Sequence, residues 1–202
     1  MKEIIVVIDF ETTGLSPARG ARATEVAAVK IHDGEIIETF QSLMNGGAYV
    51  PSEIEQLTGI TNSMIRKAPS STRIMKELSN FIDGAPLVAH NARFDRTFME
   101  AEYAHARIVS VPSFACTMKL ARRIYPTAPN FRLQSILEFA DIPHQRKFHR
   151  ALADATATAQ LWLQIQRDLC SCHRLKYVSH RQLVLLGNTP LASIGMRIEE
   201  WR

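Results

Sequence analysis

Asp9 and Glu11 stand two residues apart in Asp9-Phe10-Glu11-Thr12-Thr13-Gly14, directly after the apolar run Ile4 to Ile8. That run reads as a fully buried strand. On a strand, residues two apart leave the same face, so both carboxylates point the same way. Two such groups at the end of a buried strand repel each other, and burying them unpaired is unfavourable. A divalent cation would resolve the conflict, because carboxylate oxygens are hard ligands. The plainer alternative is a solvated strand end with two unrelated acids.

Two later segments supply further acids. His90-Asn91-Ala92-Arg93-Phe94-Asp95 follows a second short apolar run, Pro86-Leu87-Val88-Ala89. Asn91 is a good helix N-cap, with Phe94 and Phe98 one turn apart behind it. Asp95 is then expected in the first or second turn of a helix rooted at a strand end. Taken alone, it is an acid favoured there by the helix dipole. His149-Arg150-Ala151-Leu152-Ala153-Asp154 opens the best helical pattern in the chain. At the helical period Asp154 shares a face with Ala151, Ala155, Thr158, Leu161 and Ile165. An acid on that mainly apolar face needs a partner, which a hydroxyl or a basic side chain could also supply. His149 falls just before the helix or at its start, where a loop could swing it; alone it reads as a solvated surface residue.

The order Asp-x-Glu-Thr-x-Gly, then Asn-x-x-Phe-Asp, then His-x-x-x-x-Asp resembles the DEDDh family of 3′–5′ exonucleases. The proofreading epsilon subunit of bacterial DNA polymerase III and RNase T belong to that family. The likeness covers residues 3 to about 168. A sister group carries Tyr four residues before the last Asp; Arg150 holds that position here, and His149 stands five before, which favours the His subgroup. The resemblance implies an RNase-H-like fold and hydrolysis of phosphodiesters with two Mg²⁺ or Mn²⁺ ions. It implies that Asp9, Glu11 and Asp154 hold one metal, that Asp9 also reaches the second, and that Asp95 acts mainly through bound water. It implies that His149 is the general base; an imidazole of ordinary pKa suits that task near neutral pH. In the family the Thr-x-Gly turn lies against the terminal nucleotide. The backbone and hydroxyls of Thr12 and Thr13 are therefore expected contacts to a free 3′ end, with Gly14 allowing a close turn and Asn91 as a further substrate contact. The implied substrate is single-stranded or frayed nucleic acid. DNA is the first reading and RNA, as for RNase T or oligoribonuclease, the alternative, because the metals act on the phosphate rather than the 2′-hydroxyl. A module that kept the fold and lost catalysis is the reading from another class.

The elements that must position these residues follow from periodicity. Strands are expected over about 3–10, 24–32, 35–43, 86–90 and 112–117. The second and third are joined by Asp33-Gly34, a strong two-residue hairpin signal. Helical pieces are expected within 51–83, after Asn91, at 117–124 and 132–139, and over about 149–168. Three strands followed by strands interleaved with helices predict an α/β fold, a mixed sheet covered by helices. Phe94 reads as core rather than a base-stacking platform. Arg93, Arg96, Lys147 and Arg150 are candidate phosphate contacts, each equally a solvated charge.

The whole chain has 202 residues, enough for one domain with a tail. A hydrophobic fraction of 46% and a charged fraction of 22% are ordinary for a soluble globular protein. The net charge of +4 suits a polyanionic partner. If the acids above share one cleft, the remaining surface is more basic still. Three cysteines, an odd count, favour a reducing compartment. No apolar stretch reaches signal-peptide or membrane-spanning length, so the expected location is the cytoplasm. Residues 1–168 read as the exonuclease domain and 169–202 as a basic C-terminal extension. Its apolar stretches Leu183–Leu186 and Leu191–Ile194, split by Gly187-Asn188-Thr189-Pro190, predict a hairpin packed on the domain. The competing reading is a docking tail, since Gln182-Leu183-Val184-Leu185-Leu186 loosely resembles the short motif that binds the bacterial sliding clamp, and proofreading subunits are tethered to a polymerase by such a tail.

Overall fold

The computed structural model describes residues 3–144 and 149–202. A five-stranded sheet has the order β3-β2-β1-β4-β5, formed by β1 (Ile5–Thr12), β2 (Ala23–His32), β3 (Glu35–Leu43), β4 (Leu87–Ala89) and β5 (Phe114–Cys116). β1, β2 and β3 are antiparallel, while β4 and β5 run parallel to β1. The hairpin falls where Asp33-Gly34 requires it: His32 pairs with Glu35, and both turn residues have positive φ. Nine helices are described: α1 (Ser52–Thr58), α2 (Asn62–Lys67), α3 (Ser71–Ile82), α4 (Arg93–Ala106), α5 (Thr117–Ile124), α6 (Leu133–Phe139), α7 (Ala151–His173), α8 (His180–Asn188) and α9 (Ile194–Glu199).

Alternation along β1 divides the core. Ile5 and Val7 face α7 in one cluster with Ala27, Val29, Leu161 and Trp162. Val6, Ile8 and Phe10 face α3 and α4 with Val26, Ala28, Leu78 and Met99. Helices on both faces explain why β1 reads as a continuous apolar run rather than an alternating one. Ile4, expected in that strand, lies before it and is 43% exposed. No helix among the described residues is long and apolar enough to cross a membrane.

The segment beyond residue 168 differs from the expected hairpin. α7 runs on to His173, Leu183–Leu186 lies within α8, and Leu191–Ser193 forms a 3-10 turn that leads into α9 at Ile194. The run Leu183–Leu186 is equally compatible with strand and helix. A capping box decides for helix: the Ser179 hydroxyl accepts from the Gln182 N–H, and the Gln182 side chain accepts from the Ser179 N–H. Leu175, Val178, Leu183, Leu186 and Ile198 are buried in the same cluster as Val7 and Trp162. His180 is buried against Trp162, and its Nε2–H donates to the Leu87 carbonyl of β4 at 2.8 Å.

Candidate active site

The acids converge where β1 outruns its neighbour. The Val6 N–H donates to the Pro86 carbonyl, so even-numbered N–H groups of β1 face β4. Pairing between the two strands is confined to Val6 and Val7. The Phe10 N–H, further along that edge, donates instead to Asp95 Oδ1 at 3.2 Å. Asp95, in the first turn of α4, thus occupies the gap left by the short β4. Asp9 and Glu11 follow Ile5 and Val7 on the α7 face, where Asp154 lies in the first turn of α7. His149 precedes that helix in a left-handed conformation, φ 66°, and is exposed. Its N–H donates to Asp154 Oδ2 at 2.9 Å. Ligand atoms of Glu11, His149 and Asp154 lie within 4.8 Å of one another. Asp9, His149 and Asp154 line a cavity of about 540 Å³ with His90, Arg132 and Gln134.

Crowded, half-dry carboxylates resist ionisation. Asp9 is held well above the usual carboxylate range, first by burial and then by the charges of Asp95, Asp154, Glu11 and Glu25. Glu11 is raised to about 8, by burial and by Asp154 and Glu25, against the opposing pull of Arg150. Burial raises Asp95 to about 7 although its own N–H and that of Phe10 donate to it. Asp154 is raised for the same leading reason, burial, with the His149 N–H opposing. Asp154 Oδ1 is buried and has no hydrogen-bond partner among the described residues. An orphaned buried oxygen beside repelling carboxylates is what a divalent cation would satisfy, and a donor set of carboxylate oxygens fits Mg²⁺ or Mn²⁺ better than a thiolate-seeking ion.

A fifth acid escaped the sequence reading. Glu25 pairs directly across from Glu11 in the β1–β2 register. Like charges opposite each other are destabilising, but Glu25, 1% exposed, is neutralised by a forked pair of bonds from Arg150 Nε and Nη2, at 3.1 and 2.8 Å, and by the Ala151 N–H and the Gln41 amide. The bonds from Arg150 and Ala151 fasten the residues after His149 to β2. The signal was an acid inside an otherwise apolar strand. Arg150, a candidate phosphate contact, is thereby engaged within the protein. Arg96 pairs with Glu100 at 2.7 Å, and Lys147 lies outside the described residues.

The Thr-Thr-Gly turn is braced from behind. Thr12 and Thr13 are only 7% and 8% exposed. The Thr12 hydroxyl donates to the Gly14 carbonyl at 2.7 Å, and the Thr13 hydroxyl accepts from the Arg22 N–H at 3.0 Å. Arg22 in turn grips Glu102 of α4 with two bonds of 2.8 Å and reaches Ser71 of α3. Gly14 does not have positive φ, and a Cβ there would meet only Ala21 at an ordinary 3.5 Å, so the turn does not demand glycine for its backbone. Asn91 is not the N-cap of α4: it is exposed in the left-handed region, φ 64°, and Ala92 caps the helix without a side-chain bond. Asn tolerates that conformation better than most residues. Phe94 is half-buried and packs on Phe98, ring centroids 4.9 Å apart.

The exonuclease model of the RNase T family matches residues 6–162. The chain is 35% identical over 184 residues to the 3′-5′ exonuclease DinG of Bacillus subtilis (strain 168), covering 90% of this chain and 19% of that protein. It is 35% identical to a PolC-type DNA polymerase III of Caldanaerobacter subterraneus subsp. tengcongensis, covering 81% of this chain and 12% of that one. This chain therefore spans a fifth or less of these two relatives. With the DNA polymerase III subunit epsilon of Aquifex aeolicus (strain VF5), identity is 33% over 166 residues and coverage 81% of both. Exonuclease X, solved in complex with 5′ overhanging duplex DNA, matches with 27% identity and a TM-score of 0.62, over 80% of this chain and 90% of its own. An E. coli ExoI–ssDNA complex shares the RNase-H-like fold at 20% identity and a TM-score of 0.71, over 87% of this chain and 44% of that one. With more than three quarters of its length matched by one family model, this chain belongs to the RNase T exonuclease family.

Proposed function

We propose that this chain is a metal-dependent 3′–5′ exonuclease that releases nucleoside monophosphates from DNA 3′ ends. The observation that carries the reading is the buried Asp154 Oδ1, left without a partner within a cluster of carboxylates whose charges repel. Asp9, Glu11 and Asp154 would hold Mg²⁺ or Mn²⁺, with a second ion reached by Asp9 and by Asp95 through water. Bound there, two ions supply charge neutralisation of the phosphate, an activated water and a stabilised leaving oxygen. His149 removes the proton from the attacking water: the water oxygen bonds to phosphorus, the bond from phosphorus to the 3′-oxygen breaks, and that oxygen is protonated. The left-handed backbone at His149 and its N–H bond to Asp154 hold the imidazole beside the acids while leaving it exposed. The Thr12-Thr13-Gly14 turn and Asn91 would receive the 3′-terminal nucleotide. DNA is favoured over RNA by the relatives named as DNA polymerase III proteins, and the odd cysteine count supports the cytoplasm. The test is digestion of matched 3′- and 5′-labelled DNA and RNA oligomers with Mg²⁺, Mn²⁺ or EDTA. Stepwise shortening of DNA from the 3′ end with either metal is expected. Full hydrolysis in excess EDTA, or release from the 5′ end, would sink the reading.

For residues 169–202 we propose a role inside the catalytic domain. Docking through Gln182–Leu186 would need Leu183 and Leu186 on the surface beside the exposed Leu185, yet both are fully buried. Each buried aliphatic side chain contributes roughly 1.5–3 kcal/mol, so losing Leu175, Val178, Leu183, Leu186 and Ile198 would remove roughly the whole stability of a small domain. A chain ending at residue 168 is expected to be insoluble or unfolded by circular dichroism. A folded, active truncation would restore the docking-tail reading.

A further inference from the structure

From a second cleft beside the acids we infer that the phosphodiester backbone of the substrate strand, upstream of the nucleotide being removed, is held in a basic groove between α4 and α5. This rests on the exonuclease reading above and extends its site. Arg93 and Arg96 of α4 and Lys119 and Arg122 of α5 line a groove of about 460 Å³, and no carboxylate is among its described lining residues. In each helix the two cations are three residues apart, hence on one face. None is neutralised firmly within the protein. Arg93 has no carboxylate partner among the described residues. Arg96 pairs with Glu100 on an open surface, the class of ion pair worth least. Lys119 donates to the neutral Asn188 side chain at 2.9 Å. Arg122 lies over the Phe131 ring, 5.6 Å from its centroid.

Topology explains why the groove is positive and why it adjoins the acids. β4 and β5 are parallel neighbours, so the helices that follow them start side by side at the same sheet end. α5 has no side-chain cap and no acid in its first turn, so its first-turn N–H groups add partial positive charge to that of the side chains. The two clefts meet at consecutive residues: His90 lines the acid cavity and Asn91 lines the groove. His90 is pinned there by Thr117 Oγ1 and the Phe131 carbonyl, both at 2.9 Å. A strand whose terminal phosphodiester sits among cation-binding carboxylates leaves a site of negative side chains. Its next phosphates meet the nearest cleft of opposite sign. Backbone contacts of this kind carry no base information, which suits an enzyme that must remove any nucleotide.

The 202-residue chain and its Arg93→Ala/Lys119→Ala/Arg122→Ala variant are compared on dT20 and a dT dinucleotide in Mg²⁺ across a KCl series. The advantage of dT20 over the dinucleotide in kcat/KM is expected to fall about tenfold. In parallel, anisotropy of fluorescein-dT20 in EDTA gives the dependence of log K on log salt, expected to be shallower by about two for three lost contacts to a single strand. Arg93→Glu alone, at an exposed position, should shift both readouts the same way and guards against misfolding of the triple variant. Arg73→Ala/Arg197→Ala, removing two cations elsewhere, should leave both unchanged. A wild-type length advantage and salt slope in the triple variant would overturn the groove. Wild-type protein that binds dT20 with that slope yet hydrolyses nothing would refute the exonuclease reading and keep the groove.

Discussion

Two buried carboxylate sites lie on either side of the Thr12-Thr13-Gly14 turn, and the protein treats them oppositely. Glu102 is 1% exposed and fully provided for: both oxygens accept from Arg22, and one also accepts from the Ala23 N–H. Burial pushes its pKa up, but the bonds and charge of Arg22 prevail and hold it below the usual range. Asp9, Glu11 and Asp154 have no such forked ion pair; burial raises all three first, followed by the charges of neighbouring acids for Asp9 and Glu11 and by that of Glu25 for Asp154. Arg150, the nearest guanidinium to act on Glu11, is taken by Glu25. Burial alone therefore does not mark a functional acid. The mark is burial without an internal counter-charge, since such a group disfavours folding unless something external binds it.

The largest effect expected to test this contrast is that of Asp9→Ala. On the proposed two-ion reading, losing this carboxylate would forfeit several kcal/mol of transition-state stabilisation, about 10³-fold in kcat. The isosteric Asp9→Asn should at the same time raise Tm in EDTA at pH 8, because one repelling charge is gone; a lowered Tm there would show that the cluster stabilises the fold unaided. His149→Ala is expected to lower kcat by about 10²–10⁴-fold while keeping the Mn²⁺-induced rise in Tm. An unchanged rate at neutral pH would reduce His149 to a surface residue. On the other side, Glu102→Gln leaves Arg22 half-buried without its partner and should cost about 3 kcal/mol of stability in urea unfolding. A neutral outcome would erase the distinction between the two sites. The smallest effect concerns pH in the metal-free protein. Glu11 titrates near 8 folded and 4.5 unfolded, so the folded state holds its proton longer and stability falls as pH rises through that range. His90, lowered to about 4 by burial, works in the other sense, but its contribution is complete by about pH 6.5, its ordinary value. Between pH 6.5 and 8 Tm should therefore decline, and Glu11→Gln should flatten the decline. A wild-type slope in that variant would remove Glu11 from the repelling cluster.

Local signals carried much of this architecture. The apolar run before Asp9, the Asp33-Gly34 turn and the period of α7 each specify their element without help from distant residues. The four acids and His149 could be named because each stands at the start or end of such an element. Glu25 and Glu102 could not be assigned partners, because Arg150 is 125 residues from the first and Arg22 80 residues from the second. Only the folded chain reveals which acid is paired. The extension was misread for a different reason: four apolar residues have no period of their own, and the Ser179-Gln182 capping box was the available sign of a helix. Asn91 has good capping chemistry but lies one residue too early, because the chain turns through a left-handed residue before α4 begins.

The bond from His180 to Leu87 has a consequence for biosynthesis. It closes a span of 93 residues, and nearby Tyr177 donates to Glu3 across 174. A ribosome delivers β1, β4 and every acid of the site before it delivers α8. The edge strand β5 and helix α5 then lack the cover that α8 later supplies, and contacts of such sequence separation are slow to form. A nascent chain stalled before α8 has all its carboxylates and all five strands, but not the helix that covers β5 and α5. Under the exonuclease reading, hydrolysis is therefore expected only once translation has passed α8 and α9, whose Leu183, Leu186 and Ile198 complete that core.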